Sequence, residues 1–446
     1  MTRKDTVALF GFALSLAAFS PVQTQAAPAA ANRVLVKFKT VRTLSLLSET
    51  GRELGPLEAR RLLKGNTAVL RYSTSLSPLE AARQLRLDDN VEWAQPDYLL
   101  SVFPDPEQGD EGFAFAGLLA EPTTKPGYVT APPLPAPAPD SRMNELWGMQ
   151  TISAPNAWKL QRGDTKIIVA DIDTGIDYTH PNLVHNLWRN PKPDPQMQDF
   201  VGYDFAANDG RPWDDFGHGT HTAGTIGATG GFGLGISGVS QRVSLMGLRF
   251  ITAEGSGTTS DAVRAIDYAI SHGARVLSNS WGGAAEDAAE NKVLEDAVER
   301  AHQADVLFVA AAGNDGTDND KVPVYPAAIR KPNVLTVAAT NNKEGRSFFS
   351  NYGKETVHVG APGSSVLSTV PGGGYKPNSG TSMACPHVAG LAALILSERP
   401  DLTAVQVKQI IMETTDSLAA LQGFTVSGGR INAAAALAKA RTFGVR

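Results

Sequence analysis

The sequence predicts an α/β fold: a doubly wound, mostly parallel sheet flanked by helices, preceded by a small α+β domain. Short apolar runs rich in β-branched residues, such as residues 166–170, recur from about Met143 onward and are typical of parallel strands buried on both faces. Helical periodicity separates these runs, and strand–helix alternation favours a parallel sheet covered by helices. The composition agrees with a large packed core, because 42% of the 446 residues are hydrophobic and 19% are charged.

Residues 1–27 have the pattern of a secretory signal peptide. Arg3 and Lys4 precede an apolar run over residues 7–19, and small residues follow near Ala26. An internal amphipathic helix is the alternative interpretation. The apolar run has 13 residues, too short to span a bilayer, and no later segment is long and apolar enough to do so. We therefore expect an exported chain, secreted or periplasmic, with no membrane partner.

Residues 28–100 are predicted to form the small α+β domain. Residues 33–39 alternate between apolar and polar side chains, as in a half-buried strand. The stretch 77–80, Ser-Pro-Leu-Glu, combines a cap serine, a proline at the first helical position and a glutamate at the third. Residues 91–98 indicate a second strand.

Residues 101–142 differ in composition from both flanking regions. The proline-rich run 131–139 favours an extended polyproline conformation that does not enter a core. We interpret 101–142 as an exposed linker, the kind of segment in which proteolytic cleavage concentrates.

Residues 143–446 carry the alternating pattern. Ser260 is the predicted cap of a helix that Gly273 ends, a second helix covers residues 294–301, and Thr403 with Gln406 forms a capping box before a third. The predicted strands cover residues 166–170, 242–248, 275–278, 306–311 and 334–339. Active sites in such sheets lie at the carboxyl ends of strands, where Asp173 and Asn314 stand in the sequence.

Charge and cysteine content exclude several classes of function. The formal net charge of −5 gives no basis for a nucleic-acid partner or for binding an acidic membrane surface. The single cysteine, Cys385, excludes an internal disulfide framework and a multi-cysteine metal site.

Three short blocks carry the chemistry. Residues 380–390, Gly-Thr-Ser-Met-Ala-Cys-Pro-His-Val-Ala-Gly, place a serine in a turn of small residues immediately before a helical pattern. Upstream stand 173–175, Asp-Thr-Gly, and 218–221, His-Gly-Thr-His. The order Asp, His, Ser, with a glycine near each, resembles the subtilisin family of serine proteases (subtilases); this family is a known example of that order.

The chemistry of the triad needs a nucleophile, a base and an orienting acid. The resemblance implies Ser382 as nucleophile, His218 as base and Asp173 as the carboxylate that orients it. His221 lies three residues further on and shares a helix face with His218. Asp171 lies on the same strand face as Asp173, at a position where the family usually has an apolar residue, so it remains a rival whose titration would couple to that of its neighbour.

The resemblance also implies an oxyanion donor and a substrate cleft. Asn314, in Ala-Ala-Ala-Gly-Asn, matches the family's oxyanion asparagine, and the Ser382 backbone N–H would be the second donor. Two segments would pair with an extended peptide substrate. The cleft residues are Gly255, Ser256 and Gly257 on one side and Ser280, Trp281 and Gly282 on the other. Trp281 fits a pocket wall or the core equally well. The resemblance makes Cys385 a small buried residue.

No cofactor is expected for the chemistry. Related enzymes bind structural calcium through loops, and oxygen-rich loops suit this ion, although charged loops are more often simply solvated. The calcium candidates are Asn182, Asp204, Asp209 and Asp214.

The resemblance implies an exported monomeric endopeptidase that acts on proteins and peptides and is made as a zymogen. Its own propeptide, 28–100, would be a partner that assists folding and occupies the cleft. A serine esterase of the α/β-hydrolase type does not fit, because there histidine comes last in the chain. The alternative from another class is a catalytically idle binding protein on the subtilase fold.

Overall fold

The structure, a computed structural model, describes residues 28–40, 54, 58–61, 66–108, 125–284 and 291–444. The predicted signal peptide lies outside these residues. Within the described parts of the chain, every helix is either too short or too polar to cross a membrane.

The N-terminal domain is a small antiparallel sheet with one helix. Its elements are β1 (Ala29–Phe38), β2 (Glu58–Arg61), β3 (Thr67–Arg71), α1 (Pro78–Leu85) and β4 (Val91–Val102). β1 lies between β3 and β4 and pairs with both in antiparallel fashion. The predicted capping box is confirmed, because Ser77 accepts from the Glu80 N–H and the Glu80 side chain accepts from the Ser77 N–H.

The rest of the chain has the predicted α/β architecture. Its strands are β5 (Gly163–Asp173), β6 (Gly202–Asp204), β7 (Arg242–Arg249), β8 (Ser256–Thr258), β9 (Val276–Asn279), β10 (Trp281–Ala284), β11 (Leu307–Ala311), β12 (Val324–Tyr325), β13 (Val334–Thr340), β14 (Val359–Pro362), β15 (Val366–Val370), β16 (Gly374–Asn378), β17 (Asp416–Ser417) and β18 (Gly429–Arg430). Its α-helices are α2 (Trp147–Thr151), α3 (Ala154–Ala157), α4 (His218–Gly227), α5 (Thr259–Ser271), α6 (Lys292–Gln303), α7 (Thr381–Glu398), α8 (Ala404–Glu413) and α9 (Ala433–Thr442).

Nine strands form the main sheet, in the order β17-β18-β14-β13-β11-β9-β5-β7-β6. All neighbours pair in parallel except the short β17–β18 pair at one edge. Along β5, Val169 packs into the core on one face, and Ala170 and Ile172 pack into the core on the other. This period of two explains why the strand is apolar throughout, since both faces are covered.

Helix α5 begins earlier than predicted. Thr258 is its cap and accepts from the Asp261 N–H at 3.2 Å, whereas Ser260 lies inside the first turn. The prediction of Ser260 as the cap was therefore wrong. The Ser260 N–H and hydroxyl both donate to the buried carboxylate of Asp97, at 2.9 and 2.8 Å, so a residue of the N-terminal domain uses the donors of this helix turn.

β4 joins the two parts of the molecule. Beyond its pairing with β1, its last residues run antiparallel between two short strands of the larger domain. Leu100 pairs with Gly257 of β8, and Val102 pairs with Trp281 of β10. β4 therefore ends next to the carboxyl edge of the main sheet, where the candidate site lies.

The segment predicted as an exposed linker is anchored to the domain surface at several points. Residues 132–139 are exposed, as expected for the proline-rich run. Asp140, by contrast, is buried and accepts hydrogen bonds from the N–H groups of Gly231 and Gly233. Lys125 also contacts the larger domain, through buried Asp204. The linker interpretation of 101–142 must be corrected at these anchors, because polar residues there satisfy loop donors and carboxylates.

Candidate active site

The predicted acid and base are in contact. Asp173 is the last residue of β5 and His218 is the first residue of α4. Asp173 Oδ1 lies 2.7 Å from His218 Nδ1, and both side chains are fully buried. This contact fixes the imidazole plane and favours the tautomer with the proton on Nδ1.

Ser382, the predicted nucleophile, lies on α7 rather than on α4. It is the second residue of α7, which packs against α4 and covers strands β5, β9, β11 and β13. Its hydroxyl donates to the Ser280 carbonyl oxygen at 3.1 Å, and the Ser280 hydroxyl donates back to the Ser382 carbonyl oxygen at 3.0 Å. Ser382 is thus held at the N-terminus of α7, against the residue that precedes β10.

Glycines stand at the start of both helices, near His218 and near Ser382. A Cβ on Gly219 would lie 2.1 Å from the Gly175 carbonyl oxygen, so the start of α4 can contact the turn after β5 only without a side chain there. Gly380 has a φ of 152°, in the region that favours glycine, at the turn that begins α7.

Asp214 anchors the start of α4. Its two carboxylate oxygens accept from the Gly217 N–H at 2.7 Å, the Thr220 N–H at 2.7 Å and the Thr174 hydroxyl at 2.8 Å, and from two further donors. Burial raises the pKa of Asp214. The Thr174 hydroxyl in turn accepts from the Gly219 N–H at 2.8 Å, so one network joins the residue after Asp173 to the residue after His218.

Asp171 lies behind the acid–base pair and has a different role from Asp173. Its Oδ2 is 2.7 Å from the Thr222 hydroxyl, which is also 2.9 Å from the Gly219 carbonyl oxygen. With an ionised Asp171 the single Thr222 hydroxyl proton is shared between two acceptors, whereas a protonated Asp171 donates to Thr222 and leaves that proton for the Gly219 carbonyl oxygen. Burial, together with the nearby charge of Asp173, raises the pKa of Asp171 well above its ordinary value.

His221, which follows His218 by three residues in α4, contacts a different part of the chain. Its Nε2 lies 3.0 Å from the Lys376 carbonyl oxygen, and burial lowers its pKa to about 3. It is therefore a neutral, buried side chain that joins α4 to β16.

The predicted oxyanion residue, Asn314, follows β11. Its Oδ1 accepts from the N–H and the hydroxyl of Thr381, each at 2.9 Å, which orients the amide. Its Nδ2 then donates to the carbonyl oxygen of Pro104 at 3.0 Å. A peptide carbonyl that follows β4 therefore occupies the position predicted for the reacting carbonyl of a substrate.

The predicted cleft segments flank β4 on both sides. Gly255, Ser256 and Gly257 lie along one edge, where the Gly255 carbonyl oxygen accepts from the Val102 N–H at 3.1 Å. Trp281 and Gly282 pair with β4 along the other edge. The Trp281 side chain belongs to the core, because it is fully buried and its Nε1 donates to the Ile172 carbonyl oxygen at 2.7 Å.

Sequence reasoning assigned no role to Thr174 or Thr222, whose hydroxyls bind the carboxylates of Asp214 and Asp171. A hydroxyl beside Asp173 was a signal for Thr174. Nothing in the sequence pointed to Thr222, because its partner Asp171 is 51 positions away along the chain. Cys385 is buried as predicted, and burial raises its pKa to about 12.

The calcium candidates do not form one cluster. Asn182 bonds to Ile236 and Tyr375, and the carboxylate of Asp214 is engaged as described above. Only Asp204 and Asp209 converge. In the described residues, no group of three or more His, Cys, Asp or Glu side chains is arranged to hold a metal ion.

A lysine ammonium takes the place of a cation between Asp204 and Asp209. Lys125 Nζ lies 2.7 and 2.9 Å from their Oδ2 atoms and 2.9 Å from the Arg211 carbonyl oxygen. Arg249 also binds Asp204, at 2.8 Å. These carboxylate oxygens already bind the cations of Lys125 and Arg249, so they do not fit a calcium ion while Lys125 is in place.

A serine at a helix N-terminus, with a buried Asp–His pair earlier in the chain, indicates a serine hydrolase in which the serine comes last. The comparisons give the class: residues 164–435 match the model of the Subtilase family. This match covers more than half of the chain, so the protein belongs to the subtilase family and is a serine-type endopeptidase.

The relatives differ in how much of their length the chain covers. Thermitase of Thermoactinomyces vulgaris is 37% identical over 287 residues, which are 64% of this chain and 94% of thermitase. The thermophilic serine proteinase of Bacillus sp. (strain AK1) is 37% identical over 286 residues, 64% of this chain and 65% of that protein. Subtilisin-like protease 2 of Plasmodium falciparum (isolate 3D7) is 34% identical over 65% of this chain but only 22% of its own length.

Proposed function

We propose that this endopeptidase hydrolyses proteins and peptides through Asp173, His218 and Ser382, and that it is exported as a zymogen that processes itself. The proposal is carried by two contacts: the Asn314 amide holds the peptide carbonyl of Pro104 at 3.0 Å, and Asp173 and His218 form a buried pair at 2.7 Å. We infer that a segment of the chain itself takes the place of a substrate.

The proposed mechanism uses these groups in sequence. Ser382 Oγ attacks the peptide carbonyl carbon while His218 takes its proton and Asp173 holds the imidazole. The Asn314 amide, oriented by Thr381, donates to the developing oxyanion; one such donor contributes about 3–4 kcal/mol to transition-state stabilisation. His218 then protonates the leaving amine, and water hydrolyses the acyl-enzyme by the reverse proton path.

The zymogen proposal is supported by the way in which the N-terminal domain docks. Its β4 fills the cleft between β8 and β10, so an external peptide cannot pair with these strands at the same time. Asp97, fully buried, accepts from Ser260 and pairs with Arg33 at 2.7 Å, and the Gln95 side chain accepts from the Val293 N–H at 3.1 Å. The domain therefore satisfies donors at the starts of α5 and α6.

Export and maturation complete the proposal. The signal-like residues 1–27 support export, to the periplasm or the medium, and cleavage within 101–142 would separate the N-terminal domain from the catalytic domain. We propose a monomer whose partners are its substrates and its own N-terminal domain.

Intact mass spectrometry of the purified chain tests the function. We expect the wild type to shorten and Ser382→Ala to stay full length. Ser427→Ala is the matched control, since the hydroxyl of this partly exposed serine donates to the Gly429 carbonyl oxygen within its own turn, and the variant should process like the wild type. If the folded wild type also stays intact and degrades no unfolded protein substrate, the catalytic proposal fails and the idle binding protein is the better interpretation.

A further inference from the structure

Residues 105–108 continue the chain beyond Pro104, on the side of the cleft that a leaving peptide would occupy. Asp105 has a fully buried side chain, although it belongs to a segment predicted to be an exposed linker. Gln108 docks the far end of this segment, since its Nε2 donates to the Pro377 carbonyl oxygen at 3.0 Å. We call residues 105–108 the leaving-side segment.

The carboxylate of Asp105 is surrounded by backbone donors. Its Oδ2 accepts from the Ser379 N–H at 2.9 Å, and its Oδ1 accepts from the N–H groups of Glu107 and Gln108 at 2.9 and 3.1 Å. Hydrogen bonds from N–H groups to an ionised acceptor are about twice as strong as neutral ones. A side chain without acceptors here would leave the Ser379 N–H buried without its present partner.

Glu107 is held by two serine hydroxyls of the catalytic domain. Its Oε2 accepts from the Ser365 hydroxyl at 3.1 Å and from the Ser379 hydroxyl. The two serines also fix each other, because the Ser365 N–H donates to Ser379 Oγ at 2.8 Å. This donation leaves the Ser379 hydroxyl proton directed at the carboxylate.

Ser379 stands three residues before Ser382, between the end of β16 and the start of α7. We propose that Ser365 and Ser379 form a leaving-side subsite that selects acidic side chains, and that the enzyme first uses it to cut its own Pro104–Asp105 bond. The mature enzyme then prefers peptides with aspartate directly after the cleaved bond and glutamate two residues further on. This inference rests on the proposed function and adds a substrate class to it.

The processing step balances as an ordinary acyl transfer. The Ser382 Oγ–Pro104 carbon bond forms and the Pro104–Asp105 C–N bond breaks, while the Ser382 proton passes through His218 to the Asp105 nitrogen. Water then takes the acyl group. The products are a chain that ends at Pro104 and a chain that begins at Asp105.

Internally quenched peptides with the sequence of residues 102–108 test the selectivity on the mature enzyme. We expect kcat/KM to fall about tenfold or more when asparagine replaces the aspartate, since charge-assisted hydrogen bonds contribute about 1.5–3 kcal/mol. Glutamine in place of the glutamate should lower kcat/KM several-fold. Equal rates for acidic and amide peptides, with normal cleavage, would overturn the subsite and leave the protease intact as a proposal.

Variants assign the selectivity to the serines. Ser365→Ala should lower the glutamate-to-glutamine ratio of kcat/KM while the peptide is still cleaved, since only the Ser379 hydroxyl then binds the glutamate carboxylate. Ser364→Ala is the matched control, because that adjacent hydroxyl bonds to Ser347 at 2.9 Å instead, and it should keep the wild-type ratio. An unchanged ratio in Ser365→Ala would contradict the assignment.

The self-processing site has its own readout. N-terminal sequencing of the first catalytic fragment should give Asp105, and Asp105→Asn in the full chain should slow processing. A first cut at another bond would overturn this part of the inference. If no peptide is cleaved and the chain stays whole, the failure belongs to the proposed function rather than to the subsite.

Discussion

Replacing Asp171 by asparagine tests whether this buried carboxyl group is protonated in the folded protein. A protonated Asp171 gives the Thr222 hydroxyl a donor and leaves its own proton for Gly219, and an asparagine amide can donate to this hydroxyl in the same way. The hydrogen bond to Thr222 should therefore be conserved in Asp171→Asn, and only the titration of the carboxyl group is removed.

The sign of the effect follows from the pKa of Asp171. Burial first, and the charge of Asp173 second, raise this pKa well above the ordinary value of 3.8. Above pH 3.8 the unfolded chain releases a proton that the folded protein keeps, so the wild type loses stability as the pH rises toward the folded-state pKa. Asp171→Asn has no such loss. The variant should gain about 1.4 kcal/mol over the wild type for each pH unit in that window.

Thermal unfolding in a Ser382→Ala background avoids self-digestion. For a domain of roughly 300 residues, 1.4 kcal/mol corresponds to a Tm difference of about 2 °C, so the asparagine variant should gain about 2 °C per pH unit above pH 4. Below that range the two curves should differ by a constant. A Tm difference that does not change with pH would show that Asp171 is ionised in the fold, and the proton assignment at Thr222 would be wrong. Asp171→Leu is the control for packing, because it also removes the titration but loses the hydrogen bond.

Three further predictions concern the site and its surroundings. Asn314→Leu should lower kcat by about 10²–10³ with little change in KM, because the amide acts on the developing oxyanion; a steady-state assay in which KM changes instead would assign Asn314 to substrate binding. Lys125→Met should lower the free energy of unfolding by about 1–3 kcal/mol, because buried Asp204 loses one of its two cations, and a denaturant titration of the Ser382→Ala chain that gives an unchanged midpoint would contradict this. Iodoacetamide should leave Cys385 unmodified at pH 8 until the protein unfolds, since burial raises its pKa to about 12 and hides the thiol; rapid labelling of the folded enzyme by mass spectrometry would refute it.

Local patterns in the sequence were enough to predict the fold. The β-branched runs around β5, β7, β11 and β13 mark buried strands because each strand is covered on both faces. The capping boxes at Ser77 and Thr403 were confirmed because their donors and acceptors lie within three residues of each other. The cap of α5 was misplaced by two residues, since Thr258 and Ser260 are both suitable caps and only the contact with Asp97 shows that Ser260 has another partner.

In the candidate site, too, local sequence patterns predict some residues, whereas contacts between distant segments involve others. Asp173, His218 and Ser382 are the predicted triad because each stands in a short block with a nearby glycine, and the structure shows the Asp173–His218 contact. The contacts of the polar segment 101–142 join positions that are distant in sequence. Ser379 and Asp105 are 274 positions apart, and Lys125 and Asp204 are 79 apart. An acidic residue in a polar linker has the same local pattern whether water or a buried N–H binds it, so sequence alone could not distinguish a solvated aspartate from one that fills a subsite. The contacts of the leaving-side segment, rather than the triad motifs, therefore lead to a hypothesis about what this enzyme cuts.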